Sequence, residues 1–523
     1  MTQAIDKRTS GTVWSRKALG ACLMAVATLL AACLMMAAQP AHAATTFTVN
    51  DTRDSPDASS TAGGTCDIDV FSVGNQCTLR AAIQQANATL GADTINFAIP
   101  GTGVKTIHVN SGGFGSLPAI TEQVTINGYT QPGASPNTLA VGNDAVLKIE
   151  LDGTNVPSGL EISTADNSVI KGLVINRFGE GINIHGDSVA NRIEGNFIGT
   201  DPTGTLDRGN SDDGVNVVVG ASENVIGGTT PAARNVISGN TFNAVFVSGA
   251  DNNRIQGNYI GTDKTGTKAL ANGDGIGAAV AINNESSGNT VGGTTAGARN
   301  VISGNKSEGL FIGAANNSVL GNRIGTTANG TGPLGNGEAG VLIRGSNNSV
   351  GNGTAGGLNT IAFNGKDGVE VGTNLSKGNA ISRNSIFSNA GLGIDLVGGV
   401  EDAAGRTAND PGDVDAGPNA LQNKPVLSSA KTVSGKTTIK GTLKSPPFDG
   451  LGYTIEFFSN PSGDEGKKFI GQKSVTTVSS GDTPFTFSPA SAVTVGQTIA
   501  ATATILRGSE TSEFSASRKV ASS

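Results

Sequence analysis

The chain has 523 residues, 76 glycines, a net charge of −7 and only 4% aromatic residues. Setting residues 1–43 aside leaves 480, too many for one compact core but a length that suits a repeat array with a small extra domain. The removed segment holds four basic residues and one acidic one, so the net charge falls to −10, which argues against nucleic acid or an anionic lipid surface as partner.

Residues 1–43 read as a secretion signal. Lys7, Arg8, Arg16 and Lys17 precede the apolar run Ala18–Ala38, and Ala41-His42-Ala43 is a small-x-small cleavage site. The run is long enough to span a bilayer, so an uncleaved anchor is the plain alternative. Leu30-Ala31-Ala32-Cys33 has the look of a lipobox, but apolar residues continue past Cys33 to Ala38. The expectation is export, to the medium or the cell surface, with no transmembrane span after cleavage. Trp14, all four methionines, Cys22 and Cys33 leave with the signal. Cys66 and Cys77 stay, close together in an exported chain, and are expected to form a disulfide adding roughly 2–3 kcal/mol. Only His108 and His185 remain, too few for a histidine-based metal cluster.

Residues 44–100 read as an N-terminal cap. A short strand near Phe47–Asn50 leads to a polar loop, the two cysteines and then Thr78–Asn87. In that last segment Leu79, Ala82, Ile83 and Ala86 fall at helical spacing behind a Thr78 N-cap. Such a helix suits the exposed end of a solenoid. Lys105–Val109, Gln123–Ile126 and Val146–Leu151 alternate as half-buried strands.

From Asn191 the chain writes Asn, four residues, Asn eight times: Asn191–Asn196, Asn235–Asn240, Asn253–Asn258, Asn300–Asn305, Asn317–Asn322, Asn359–Asn364, Asn379–Asn384 and Asn384–Asn389. A second signature, Gly or Ala before alternating apolar residues, runs from Gly181–Ile184 and Gly214–Val217 to Gly368–Val371 and Gly393–Leu396. Adjacent copies lie about 25–33 residues apart, with a divergent one expected near Gly275. A doubled period also shows: Ile198–Thr205 is echoed by Ile260–Thr267 and, worn, by Ile324–Thr331. Short strands between Gly- and Asn-rich corners exclude helical and leucine-rich solenoids and fit a right-handed parallel β-helix over residues 101–400. Stacked coils should align the corner asparagines in hydrogen-bonded ladders. A β-propeller, the other candidate, needs antiparallel blades and usually more aromatics. After an Asp/Gly/Pro-rich junction at 401–423, residues 424–523 read as an Ig-like β-sandwich. Its strands are Thr437–Leu443, Tyr453–Phe458, Phe469–Val475, Pro484–Phe487 and Thr498–Ile505.

Cys77-Thr-Leu-Arg-Ala-Ala-Ile-Gln-Gln-Ala-Asn87 resembles the Cys-Ser-Leu-Arg-Glu-Ala (CSLREA) motif that names a group of exported bacterial β-helix proteins, with Ala81 in place of the Glu. Asp413–Pro425 resembles the segment that closes the β-helix in many of them, and Gly466–Phe514 is similar to their C-terminal sandwich. The resemblance spans nearly the whole mature chain and implies a right-handed parallel β-helix on a secreted or surface protein. The group has no general catalytic assignment, so it transfers no site residues.

Glu180, Asp213, Asp274, Glu308 and Asp367 each lie at the start of a rung, as an acidic ladder would require, although Asp-Gly and Glu-Gly are also ordinary turn dipeptides. Asp212, Asp213 and His185 are the catalytic candidates, and they resemble the carboxylates and His of polygalacturonase-type glycosidases. Here, however, His185 comes one rung before the Asp pair instead of after it, and the Arg-x-Lys element is missing. A lyase base would have to come from Arg177, Arg192, Arg254 or Arg323, the last three within turn repeats. Asp410, Asp413 and Asp415 are the candidate Ca²⁺ ligands, though position twelve from Asp410 is Leu421 and the stretch is therefore not an EF-hand. No cofactor is required by any of these patterns. The reading is a secreted or cell-surface β-helix scaffold for binding or adhesion, without catalysis, with an extracellular polysaccharide or surface glycan as the ligand class. The alternative is a polysaccharide lyase or glycoside hydrolase acting in the β-helix groove.

Overall fold

The computed structural model describes residues 43–58, 64–447, 452–477, 481–506 and 509–522, so all of the expected signal but Ala43 lies outside the described residues. Among the described residues no helix is long and apolar enough to cross a membrane. Most strands of the repeat array are two to four residues with one or two inward apolar side chains, too few to bury anything unless coils stack. They do stack, as a right-handed parallel β-helix with three faces.

The first face is an 11-stranded parallel sheet from Thr46–Val49 to Ala380–Ile381. A 17-stranded sheet forms the other two, because the long strands Ile149–Ser163 and Leu173–His185 bend around a corner with a register shift between Asp152 and Val156. Beyond them each coil supplies separate strands. Phe197–Ile198, Val236–Ile237 and Tyr259–Ile260 continue the second face, and Val215–Val218, Val245–Ser248 and Val280–Asn283 the third. Each face drives one column into the core, such as Ile193, Ile226 and Ile255, or Ile198, Ile237 and Ile260, all at most 1% exposed.

The corners carry three asparagine ladders, each passing a backbone N–H to the Oδ1 of the next coil. One runs Asn191, Asn224, Asn253, Asn289, Asn317, Asn348, Asn379 and Asn419. The second runs from Asn196 through Asn235 and Asn258 to Asn384, the third from Asn210 through Asn240 and Asn272 to Asn389. The Asn-x4-Asn motif therefore occupies two different places. Asn191–Asn196 and Asn253–Asn258 bracket first-face strands, whereas Asn235–Asn240 and Asn300–Asn305 bracket second-face strands.

The doubled period has a physical origin: two kinds of coil alternate. At Thr200–Asp207, Thr262–Ala269 and Thr326–Pro333 the chain leaves the second face as a small hairpin. In the first two, Asp201 and Asp263 gather the loop N–H groups of Thr205, Leu206, Thr267 and Lys268. The intervening coils instead carry 3-10 turns at Pro231–Ala233 and Ala296–Ala298 before the second face. The divergent rung expected near Gly275 is Ala279-Val280-Ala281-Ile282, set back because Asp274–Gly277 form a short insertion ahead of it.

The cap helix is Leu79–Ala88, and Thr78 Oγ1 accepts from Ala81 N at 3.1 Å as its N-cap. The Cys66–Cys77 disulfide is present. Arg80, inside the CSLREA-like stretch, grips buried Asp54 with two hydrogen bonds of 3.0 and 2.8 Å, a structural task for that residue. Thr46–Val49 and Asp93–Phe97 already belong to the first face, so the parallel ladder runs through the 100/101 boundary without a break.

At the other end, three- and four-stranded antiparallel sheets enclose a second core around Tyr453, Phe457 and Phe485. Three glutamates of this domain accept from the last coils: Glu456 from Arg383 N, Glu465 from Ser388 N and Asn389 N, and Glu513 from Leu396 N and Thr407 N. They satisfy donors for which no further coil exists.

Candidate functional site

The outward side chains of the second and third faces differ in kind. On the second face Val174, Phe197, Val236, Tyr259 and Val301 form a column that the excursion carrying Tyr129, Ala145 and Leu147 covers, giving a third buried cluster. Tyr129 and Tyr259 are thereby bound into structure, with hydroxyls donating to Gly195 O and accepting from Gly142 N. Neither is free to stack on a sugar.

The third face is open. Strand register fixes its central outward column as Glu161, Asn183, Asn216, Phe246, Ala281, Phe311, Leu342, Glu370 and Asp395. It starts polar, becomes apolar for four rungs and ends acidic. In the apolar stretch Phe246 and Phe311 stand two rungs apart, about 10 Å at normal strand spacing. Ala281 between them leaves an open depression of about 290 Å³. Phe242, Asn243, Asn283, Glu308 and Arg344 rim it, and the Arg344 guanidinium lies 5.6 Å from the Phe311 ring centre. An apolar floor with a few polar groups at its edge is the usual make-up of a small-ligand site.

The polar end gathers the sequence candidates. His185 Nε2 lies 2.5 Å from Glu161 Oε1, and Glu180 accepts from Asn216 Nδ2 at 3.0 Å. Asp213 accepts from Asn243 N and Nδ2 at 2.9 and 2.8 Å, while Asp212 is exposed. Burial pushes the Asp213 carboxyl up to about 6, opposed by the Asn243 bonds and reinforced by the charges of Asp212 and Glu180. Burial likewise raises Glu180. The Oδ1 atoms of Asn183 and Asn216 are buried without a hydrogen-bond partner. Glu161 escaped the sequence reading, since only the register of Ser163 against His185 reveals that it shares a surface with the histidine.

The expected acidic ladder is broken. Asp274 sits in the exposed insertion, and the positions equivalent to Asp213 hold Asn243 and Ala278 before Glu308. Turn chemistry, which places Asp before Gly anywhere, produced the false member. Among the arginines considered as bases, Arg177 is paired with Asp152 at 2.8 Å and Glu150 at 3.9 Å, and Arg192 with Glu194 at 2.7 Å.

In the junction, carboxylate oxygens of Asp410, Asp413 and Asp415 lie within 4.8 Å of one another. Burial raises Asp413 to about 6, its bond from Asn423 N lowers it, and the charges of Asp410 and Asp415 add to the rise. Asp413 also takes bonds from Gln422 Nε2 at 2.9 Å and Asn423 N at 2.8 Å, while the Oδ1 atoms of Asp410 and Asp415 have no partner. Such an all-oxygen set matches a hard cation and no other metal class.

No family model and no curated protein matches the chain. Among solved structures it is similar to the A-module of mannuronan C-5 epimerase AlgE4 from Azotobacter vinelandii, at 14% identity over 60% of this chain and 86% of that one, TM-score 0.33. It is also similar to DFA-IIIase from Arthrobacter chlorophenolicus A6, at 14% identity over 63% and 70%, TM-score 0.25. A third similarity is to tailspike protein 2 of an Escherichia coli O157:H7 bacteriophage, at 11% identity over 87% and 67%, TM-score 0.23. Likenesses this distant carry no argument about chemistry; the fold rests on the strand ladders themselves.

Proposed function

We propose that the chain is an exported scaffold, secreted or displayed at the cell surface, that binds a glycan on the open third face without transforming it. The observation that supports this reading is the Phe246–Ala281–Phe311 depression, an apolar platform rimmed by amide, carboxylate and guanidinium groups. Apolar ring faces of a sugar would lie on the phenyl groups while its hydroxyls bond to Asn243, Asn283 and Glu308. Asn216 and Asn183, one and two rungs further along the same column, continue the face as a polar surface beyond the phenyl platform. The N-terminal CSLREA-type resemblance and the signal-like residues 1–43 support export, and the three-plus-four antiparallel strands at the C-terminus support an Ig-like domain.

A second reading, a glycoside hydrolase or polysaccharide lyase, draws on the polar end of the same face. Glu161, Glu180, His185, Asp212 and Asp213 come from adjacent coils, and one carboxyl holds its proton to about 6, as a general acid requires. Against it, both bonds to Asp213 come from Asn243, its repeat equivalent, which gives the residue a scaffold task.

One experiment separates the two. The chain from Ala44 onward is passed over immobilised uronic and neutral polysaccharides, and the soluble polymers are assayed for new reducing ends and unsaturated products. The scaffold reading expects retention without product, weakened at least about tenfold by Phe246→Ala with Phe311→Ala, an effect of roughly 1.4 kcal/mol. Product that disappears in Asp213→Asn or His185→Ala would replace it with the enzyme. Retention indifferent to both phenylalanines would remove the platform.

A further inference from the structure

The alternating coils build a trough on the outside of the second face. One wall is the stack of 3-10 turns, Pro231–Ala233 and Ala296–Ala298; the other is the stack of hairpins, where Lys264 N donates to Gly204 O and Ala328 N to Gly266 O. Arg234 and Arg299 follow the two turns at equivalent positions, and each donates its Nε to the equivalent glycine carbonyl, Gly257 O at 3.2 Å and Gly321 O at 2.9 Å. Their surroundings then diverge. The 139–142 segment crosses the trough at Arg234 and lays three backbone oxygens on its terminal nitrogens, those of Leu139, Ala140 and Gly142.

At Arg299 no such carbonyls arrive, although Ala140 and Val141 of the same segment line the adjoining pocket. The terminal nitrogens of Arg299 have no partner among the described residues, and Arg323, the next outward residue of the column, joins it in lining a pocket of about 240 Å³ floored by Val301. In a chain of net charge −7, none of Arg234, Arg299 and Arg323 is ion-paired with a carboxylate among the described residues. Two guanidiniums brought together without a carboxylate form a receptor for an oxyanion through the N–H groups left over once Arg323 Nη1 has donated to Ala328 O, and a planar fork suits the two oxygens of a carboxylate. Burial and the charge of Arg299 both lower the proton affinity of Arg323, with Tyr259 opposing them.

We propose that Arg299 and Arg323 bind the carboxylate of an acidic sugar residue, placed in the trough as the 139–142 carbonyls are placed on Arg234. The pocket volume suits one ring, and the Thr229 and Thr230 side of the wall offers hydroxyl partners. This site uses none of the third-face residues and stands or falls apart from them.

The test titrates the chain from Ala44 onward, which forms one compact unit, with trigalacturonate, neutral trigalactose and inorganic sulfate by calorimetry. Saturable binding of trigalacturonate alone is expected, falling at least about tenfold in Arg299→Gln with Arg323→Gln and unchanged in the charge-matched control Lys436→Gln with Lys519→Gln, both exposed on the C-terminal domain. Thermal unfolding of the arginine variant checks its fold. If the variant does not fold, the intact chain decides, since binding to two guanidiniums must weaken as salt rises. Absence of binding, affinity indifferent to the arginines and to salt, or equal affinity for trigalactose would overturn the proposal. Sulfate binding as tight as that of trigalacturonate would overturn the sugar acid as the ligand class.

Discussion

Phe311 and Ile312 are neighbours in one strand, yet they belong to opposite worlds. The inward column of the third face reads Val217, Val247, Ile282, Ile312, Ile343, Val371 and Leu396, a branched aliphatic residue at every rung. The outward column beside it passes from amide to phenyl to carboxylate over the same coils. Packing at crystal-like density dictates the first column and places no demand on the second. Where a repeat protein varies on a surface its own packing leaves free, the variation is the place to look for ligands.

The contrast can be attacked from its strongest side first. Ile312→Ala, at 0% exposure, should cost roughly 3–4 kcal/mol in chemical denaturation by emptying one rung of the core. Asn305→Ala comes next, at roughly 2–3 kcal/mol, because it strands Asn272 N, which its Oδ1 now satisfies, and removes the side-chain bonds with Asn272 Nδ2 and Asn336 Oδ1. A loss under about 0.5 kcal/mol would show that the ladder is decoration.

A pH effect of on the order of 1–2 kcal/mol should follow from Glu513. Burial holds it at about 7 in the folded chain against 4.5 when exposed, with Lys424 and the Leu396 and Thr407 bonds opposing the rise. Its stabilising share is complete below pH 4.5 and is lost as pH climbs through about 7. Melting curves from pH 5 to 8 should fall more steeply for the parent than for Glu513→Gln; parallel curves would contradict this. Millimolar Ca²⁺ should raise the melting point by the equivalent of roughly 1 kcal/mol through Asp410, Asp413 and Asp415, an increment Asp413→Asn should abolish. Smallest of all in stability, within about 0.5 kcal/mol, is Phe311→Ala, whose effect belongs to ligand retention.

The coil architecture was legible because its causes are local. Asn at corners and alternating Val and Ile are visible residue by residue, and Thr78 announced its helix. Three things were hidden. The same Asn-x4-Asn motif serves two corners, so its spacing does not tell which face follows. The three extra residues within Asp274–Gly277 displaced the expected rung, and with it the position of Ala281 between two phenylalanines. The covering excursion of Tyr129 to Leu147 has no period at all, so the burial of Tyr259 beneath it had no signal in the sequence. The polar site was half legible: Asp212, Asp213 and His185 were named, but Glu161 joins them only through inter-coil register. Of the trough arginines only Arg323 was singled out, as a base candidate within a turn repeat, and the Arg-Asn-Val-Ile-Ser-Gly-Asn repeat at Arg234 and Arg299 was the signal that could have found the other two.

The glutamates that receive Arg383 N, Ser388 N and Leu396 N have a consequence for the solution behaviour of the whole molecule. A parallel ladder that simply stopped would offer a row of unsatisfied donors to any other strand, and a second molecule could dock there and offer its own end in turn. By meeting that row with carboxylates, the C-terminal domain works as a stopper, turning a shape that would otherwise grow into fibres into one of finite length.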